Sequence, residues 1–259
     1  MNLDYTFPPW TKGCYQDKAP VRTCAKPFTL TRPKAKNAAL LIHGYAGYPG
    51  ELIRVGRELF EEGLDVYVPR LPGNGTSGGD FQKSRAKDWI GTLRNGMDDL
   101  TKKYDDVLIA GHSMGGATAA WIGREDDAID AVIVLDGTLM GEIVGFEQGK
   151  EVLTDVPYPK PILDVFNESH YADATAIGLD YANMRMQGNA FEAYQLVVDG
   201  SGHLNFTDLP LVSPLLASLL GTGSVDPRAC MEITNTAVRE FLDYHLKGEG
   251  IEIPPFRRV

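Results

Sequence analysis

Short, mostly apolar segments alternate with amphipathic segments along most of the chain. A continuous apolar run closed by glycine or by a polar residue is typical of a strand that is buried on both faces of a sheet. Such runs predict strands at residues 38–43, 64–68, 107–110, 131–135, 161–166 and 194–198, the last being the final strand of the chain.

Helices are predicted between these strands. Leu52, Val55 and Leu59 recur at helical spacing in a segment that begins near Pro49 and ends at Gly63. The same spacing predicts helices at residues 89–104, 115–123 and about 228–246, the last closing the chain, and composition predicts a loop at 71–80. This alternation predicts an α/β fold: a mostly parallel central sheet flanked by helices, with ligands at the carboxyl ends of the strands.

A single domain is predicted for residues 1–259. This length is normal for one α/β domain with a large sheet. The chain contains no internal repeat, no low-complexity tract and no linker. Residues 1–30 have the weakest pattern, so no element is predicted there.

Charge and hydropathy exclude two kinds of partner. The net charge is −10 at pH 7, and no cluster of lysine or arginine offsets it, so nucleic acid is not an expected partner. No apolar stretch reaches the ~18 residues that span a bilayer, so stable membrane insertion is not expected.

The first residues lack the basic start and apolar run of a signal peptide. This favours the cytoplasm, with secretion after removal of a leader as the alternative.

The cysteines do not indicate a metal site. The chain has 3 cysteines, and their spacing matches no common metal-binding motif. Cys14 and Cys24 could form a disulfide within the N-terminal segment, although free thiols are favoured. No metal ion and no organic cofactor are expected.

The strongest chemical signal is the motif Gly111-His112-Ser113-Met114-Gly115, which joins a predicted strand to a helix of small residues. A serine hydroxyl becomes a useful nucleophile when a tight turn exposes it beside a base, and such a turn requires small neighbours. The turn also puts the serine at the amino end of a helix, which favours developing negative charge. Ser113 is therefore the candidate nucleophile.

The segment from His43 to Gly47, H-G-Y-A-G, follows the first predicted strand and is typical of an oxyanion-hole loop. A tetrahedral acyl-transfer intermediate needs two donors aimed at one oxygen. The backbone N–H groups of Tyr45 and Met114 are the candidates. His43 itself is expected to brace the loop.

Three histidines follow the serine and could act as the base. His203 is favoured because it lies in a flexible loop, D-G-S-G-H, directly after the last predicted strand. His245 falls on the apolar face of the final helix, and His170 follows the preceding strand and is less favoured.

Two carboxylates stand at strand ends and could orient the base. Asp136 follows V-I-V-L and begins a turn of small residues, whereas Glu168 follows the strand that ends in V-F-N. Asp164 falls inside that strand and is a poor candidate. The residues themselves leave Asp136 and Glu168 as alternatives.

Together, H-G-Y-A-G, G-H-S-M-G-G and the late G-H resemble the α/β-hydrolase superfamily from about Ala38 to Leu246. The region S-G-H-L-N-F-T-D, with M-E-I-T-N and the terminal helix, resembles the plasma-type platelet-activating-factor acetylhydrolases and the cutinase and chlorophyllase-like enzymes. In the acetylhydrolases the acid follows the strand after the nucleophile helix, in a motif similar to L-D-G here. The resemblance therefore implies Asp136 as the acid.

The resemblance further implies a serine hydrolase that cleaves carboxylic esters through an acyl-enzyme, acting on a small-molecule or lipid ester. Thioester, amide or peptide hydrolysis by the same residues is the alternative, and an inactive binding module is a more distant one. Only residues 137–160 separate the strands between which many hydrolases insert a cap, so no large cap domain is expected. The apolar run 209–220 predicts a buried helix, with an acyl-pocket wall or a lipid contact as the alternative.

Overall fold

The computed structural model of the chain describes residues 2–213, 215, 219–247, 257 and 258. The strands are β1 (Phe28–Leu30), β2 (Asn37–Ile42), β3 (Asp65–Val68), β4 (Asp106–His112), β5 (Ala131–Leu135), β6 (Ile143–Glu147), β7 (Lys150–Leu153), β8 (Ile162–Asn167), β9 (Ala193–Val198) and β10 (Arg257–Arg258). The α-helices are α1 (Ile53–Glu61), α2 (Gly78–Lys83), α3 (Ala86–Leu100), α4 (Met114–Glu125), α5 (Glu168–Ile177), α6 (Ala182–Asn189), α7 (Leu209–Val212) and α8 (Pro227–Lys247). Short 3₁₀ helices occur at Thr23–Ala25, Pro49–Leu52, Met140–Glu142, Gly178–Asp180 and His203–Phe206.

Eight of these strands form the central sheet, in the order β1-β3-β2-β4-β5-β8-β9-β10. The six inner strands are parallel, and the edge strands β1 and β10 pair antiparallel with their neighbours. The prediction of a mostly parallel sheet flanked by helices is confirmed. Because the inner strands are parallel, their carboxyl ends meet at one edge of the sheet.

Burial on both faces explains why the inner strands read as continuous apolar runs. In β4, Leu108 and Ala110 pack into the core on one face of the sheet, while Val107 and Ile109 pack into the core on the other. All four side chains are fully buried. Successive side chains of one strand therefore pack alternately into the cores on the two faces of the sheet.

Several elements lie outside the predictions. The prediction that 194–198 is the final strand is wrong, because β10 pairs with β9 beyond the last helix. The predicted loop 71–80 contains the start of α2, whose cap is the Ser77 hydroxyl accepting a hydrogen bond from the Asp80 N–H at 3.1 Å. Strands β6 and β7 form a hairpin that turns at Gln148 and Gly149, which both have positive φ. This hairpin and one 3₁₀ turn occupy the segment between β5 and β8, where many hydrolases insert a cap.

The described residues of the apolar run 209–220 do not show the buried helix that was expected. Helix α7 covers only Leu209–Val212, and the side chains of Val212, Leu215 and Leu219 are each more than three-quarters exposed. Residues 214 and 216–218 lie outside the described residues. Among the helices in the described ranges, none is both long enough and apolar enough to cross a membrane.

Candidate active site

Three residues with strained backbones lie at the carboxyl edge of the sheet. Ser113, between β4 and α4, has φ 56° and ψ −124°. Asp136, directly after β5, has φ 54°, and Ala46, in the loop after β2, has φ 57°. A non-glycine residue in this region costs on the order of 1–3 kcal/mol, and such strain concentrates at functional sites. The three positions mark one edge of the sheet as the candidate site.

The Ser113 turn has room only for glycine at its flanks. A Cβ on Gly115 would collide with the carbonyl oxygen of Ile42 and would lie 2.7 Å from that of His43. A Cβ on Gly111 would lie 2.7 Å from the same Ile42 oxygen. Because these neighbours are backbone atoms of β2 and of the residue directly after it, they cannot move aside cheaply. The two glycines let β4 and α4 close tightly against β2, which leaves Ser113 at the tip of the turn.

The carboxylate of Asp136 lies against His203. His203 Nδ1 is 2.6 Å from Asp136 Oδ2, and the backbone N–H of Asn167 donates to Oδ1 at 2.9 Å. His170 Nδ1 is 2.8 Å from Oδ1. Burial raises the pKa of this carboxyl, but the hydrogen bonds from the two histidines and Asn167 outweigh it, so the pKa lies well below its usual range. Asp136 is therefore an anion that can orient an imidazole and stabilise its positive charge.

The alternative acid, Glu168, makes a different contact. Its Oε2 accepts a hydrogen bond from the backbone N–H of Gly200 at 3.0 Å, in the loop that carries His203. Asp164 is buried within β8 and accepts hydrogen bonds from Asn183 and Gln187. Of these three carboxylates, only that of Asp136 is within hydrogen-bond distance of His203.

His112 links the serine turn to the histidine loop. Its ring centre lies 4.6 Å from that of His203, and its Nε2 is 2.9 Å from the His203 carbonyl oxygen. Burial lowers the pKa of His112 to about 4, so the ring is neutral and its Nε2–H donates to that carbonyl. Since Ser113 is the next residue, this contact holds His203 beside the serine turn. Within the described residues, no hydrogen bond joins Ser113 Oγ to His203; such bonds are often long in ligand-free enzymes.

The loop that carries Tyr45 lies against the serine turn. A Cβ on Gly44 would lie 3.3 Å from Ser113 Cβ, so the loop that carries Tyr45 packs against the serine. In the described part of the chain, the backbone N–H groups of Tyr45 and Met114 donate to no protein acceptor. Met114 is also the first residue of α4, where the helix dipole favours an anion.

His43 braces this loop, as the sequence suggests. It is fully buried, and burial lowers its pKa to about 4. Its Nε2 accepts a hydrogen bond from the Leu71 N–H at 3.2 Å, so the neutral ring donates from Nδ1 to the Gly44 carbonyl at 3.0 Å. The ring therefore ties the loop after β2 to the segment that follows β3.

A cavity of about 410 Å³ opens beside the same loop. Its walls include Ala46 and Tyr48 of the loop, Phe81 of α2, and Arg22. The Tyr45 ring packs edge-on against Phe81, with ring centres 5.2 Å apart.

No group of three or more histidine, cysteine, aspartate or glutamate side chains in the described ranges is arranged to hold a metal ion.

The chain is similar in sequence to several known ester hydrolases. Over 123 residues the chain is 24% identical to a thermostable monoacylglycerol lipase from Bacillus sp. (strain H-257), covering 48% of each chain. Over 99 residues it is 28% identical to a carboxylesterase from Bacillus subtilis (strain 168), covering 38% of this chain and 39% of that one. It is 27% identical over 144 residues to the platelet-activating factor acetylhydrolase of Bos taurus, covering 55% of this chain and 30% of that one. The chain thus spans about half the length of these relatives, or less.

Solved structures share the fold. A ferulic acid esterase from Streptomyces cinnamoneus superposes with a TM-score of 0.63 at 20% identity, covering 88% of this chain and 74% of that one. Est1E from Butyrivibrio proteoclasticus, solved with ferulic acid bound, gives a TM-score of 0.57 at 19% identity, covering 86% of this chain and 98% of that one. The fold is that of the α/β-hydrolases. The model of the family named platelet-activating factor acetylhydrolase, isoform II, matches residues 88–250, and the chain therefore belongs to this family.

Proposed function

We propose that the protein is a serine hydrolase that cleaves carboxylic esters, with Ser113 as nucleophile, His203 as general base and Asp136 as the acid that orients it. The observation that carries the proposal is the 2.6 Å contact between His203 Nδ1 and Asp136 Oδ2, beside a serine held in a strained turn at the start of α4. Membership of the acetylhydrolase family supports the same chemistry.

In the proposed reaction, Ser113 Oγ bonds to the ester carbonyl carbon while His203 Nε2 takes the hydroxyl proton. Asp136 accepts from His203 Nδ1–H and stabilises the imidazolium that forms. The backbone N–H groups of Tyr45 and Met114 hold the oxyanion. The bond to the leaving oxygen then breaks, and His203 gives its proton to the alcohol. Water, deprotonated by His203, attacks the acyl-enzyme and releases the carboxylic acid and free Ser113.

The substrate class that we propose is a small-molecule or lipid ester. The cavity beside Ala46 and Tyr48 gives an acyl or alcohol group a place next to the oxyanion loop. Thioesters, amides and peptides could be cleaved by the same residues. An inactive binding module is disfavoured, since the serine, the histidine and the turn glycines are all present.

We further propose a cytoplasmic location and a single domain. Cys14, Cys24 and Cys230 are free thiols, which suits a reducing compartment. Asp4 forms a β-bridge with Thr29 in β1, and β10 pairs with β9. Segments far apart in the chain thus contact the same central sheet, which supports one domain.

The test is hydrolysis of p-nitrophenyl esters from acetate to palmitate by the intact protein and by Ser113→Ala, Asp136→Ala and Glu168→Ala. We expect Ser113→Ala and Asp136→Ala to lose at least about 10³-fold in kcat, while Glu168→Ala stays within about 10-fold, because Glu168 contacts only a loop amide. Full activity of Ser113→Ala would refute the mechanism. If the intact protein cleaves no ester but reacts with a fluorophosphonate, the nucleophile stands and the substrate is an amide or a thioester.

A further inference from the structure

Two imidazoles share the carboxylate of Asp136. His203 approaches Oδ2 at 2.6 Å, and His170 approaches Oδ1 at 2.8 Å. The proposed reaction transfers protons only through His203, so it does not account for the second imidazole. The carboxylate is buried, whereas the His170 side chain is mostly buried and that of His203 is about half exposed.

The position of His170 follows from the end of β8. Asn167, the last residue of β8, caps α5 by accepting the His170 N–H at 2.9 Å on its side-chain oxygen. The side-chain nitrogen of Asn167 donates to Asp136 Oδ2 at 2.5 Å. One cap residue therefore fixes both the start of α5 and the carboxylate, which brings His170 and Asp136 together from neighbouring parallel strands.

The outer nitrogen of His170 begins a short chain of hydrogen bonds. His170 Nε2 is 2.6 Å from the Tyr181 hydroxyl, which is 3.0 Å from Thr138 Oγ1. With neutral His170, Thr138 donates to Tyr181 and Tyr181 donates to Nε2. With charged His170, Nε2–H donates to Tyr181 and Tyr181 donates to Thr138. Because hydroxyl groups both donate and accept, protonation of His170 breaks none of these bonds.

Charged groups around His170 favour its protonated form. Burial lowers the pKa of His170, but the hydrogen bond and charge of Asp136 outweigh it, so the net pKa is raised. Asp164 in β8 and Asp173 in α5 also raise it, and Asp164 does so only at a pH at which its carboxyl is ionised. Tyr181, which follows a 3₁₀ helix, is also titratable and in direct contact with His170. As the pH falls through the usual histidine range, His170 therefore carries a positive charge next to Asp136.

We propose that His170 is a positioning residue for the hydrolysis proposed above. It holds Asp136 through the carboxylate oxygen that His203 does not contact. Its positive charge also keeps His203 unprotonated down to lower pH, so that His203 can still act as a base there. The physical reason is competition for one anion. A carboxylate already paired with one imidazolium stabilises a second imidazolium less, and the two cations repel each other.

The test is the pH profile of kcat/KM on a short p-nitrophenyl ester for the intact protein, His170→Gln and His170→Ala. Activity is lost on the acid side when His203 takes up a proton. Without the His170 charge, Asp136 stabilises only the positive charge of His203. We therefore expect the acid limb of the profile, the range in which activity falls as the pH is lowered, to move to higher pH by about 1 unit in both variants. His170→Gln can still donate a hydrogen bond to Asp136, so it should stay within about 3-fold of the intact protein at about pH 8.

Asp180→Asn is the matched control, since it alters an exposed charge directly after α5 that is not among the groups that raise the pKa of His170. Its acid limb should stay within about 0.2 pH units, because exposed charges are screened. A merely structural role for His170 predicts a loss of activity at every pH with the limb unmoved. An unmoved limb, or one that moves to lower pH, overturns the proposal.

A second measurement does not depend on folding of the His170 variants or on activity. NMR titration of the histidine rings in Ser113→Ala should show His170 taking up its proton at higher pH than a free histidine, and uptake at the same or a lower pH overturns the inference. If Ser113→Ala remains active on esters, the proposed function fails, whatever the titration of His170. If Ser113→Ala is inactive and the acid limb is unmoved in the His170 variants, only the role of His170 fails.

Discussion

Replacement of Asp164 by asparagine should make the stability of the protein less dependent on pH. Asp164 is completely buried in β8. Its Oδ2 accepts hydrogen bonds from Asn183 Nδ2 at 3.0 Å and Gln187 Nε2 at 2.8 Å, and its Oδ1 has no partner among the described residues. Burial raises the pKa of Asp164 to about 7, although the two amides partly offset this effect. The carboxyl is therefore protonated in the folded protein under mildly acidic conditions.

The sign of the effect follows from the two pKa values. An aspartate in an unfolded chain has a pKa of about 3.9, so between about pH 4 and pH 7 the unfolded chain has lost a proton that the folded protein keeps. The free energy of unfolding then falls by about 1.4 kcal/mol for each pH unit and levels off above about pH 7. From about pH 5 to pH 7 the loss due to Asp164 is about 3 kcal/mol.

Asparagine keeps the shape and the acceptor of this side chain and cannot ionise. Asp164→Asn should therefore be within about 1 kcal/mol of the intact protein near pH 5, where both side chains are neutral in the fold. Near pH 8 it should have gained about 3 kcal/mol relative to the intact protein. Urea unfolding followed by tryptophan fluorescence at several pH values between these limits measures the difference.

Asp155→Asn is a control with the same chemical change at the surface. The Asp155 carboxylate is 84% exposed and pairs with Arg185 at 2.8 Å, and exposed pairs contribute about 1 kcal/mol or less. Its effect on stability should therefore be small across the same range. A difference between Asp164→Asn and the intact protein that is the same at every pH would refute the assignment of a raised pKa to Asp164.

Two further predictions concern elements that support the site. In Gly115→Ala the new Cβ would meet the Ile42 carbonyl, so we expect a loss of about 1–3 kcal/mol and of esterase activity, measured by urea unfolding and p-nitrophenyl acetate hydrolysis. Gly78→Ala, where a new Cβ would have no atom within 4 Å, is the control; equal effects would contradict the clash. Arg124→Ala leaves the nearly buried Glu142 unpaired, so unfolding should be easier by about 3–5 kcal/mol, and a midpoint equal to that of the intact protein would contradict this.

The inner sheet and the serine turn could be read from the chain because their causes are local. A strand buried on both faces requires a continuous apolar run, and those runs predicted β2, β3, β4, β5, β8 and β9 with shifts of one or two residues at some ends. The motif around Ser113 is equally local, since glycines are required wherever β4 and α4 close against β2. The edge strands β1 and β10 were not predicted, because three and two residues carry too little pattern and are held by pairing with a neighbour.

The relation among the polar groups at the sheet edge depends on packing between distant segments. Asp136 and Glu168 both stand at strand ends, so sequence spacing could not separate them. The fold directs Asp136 toward His203 and Glu168 toward the amide of Gly200. The contact of His170 with Asp136 was not predicted either, because α5 has little amphipathic pattern and its place depends on the register between β5 and β8. Hydrogen bonds between residues tens of positions apart depend on the path of the whole chain, and no local pattern encodes them.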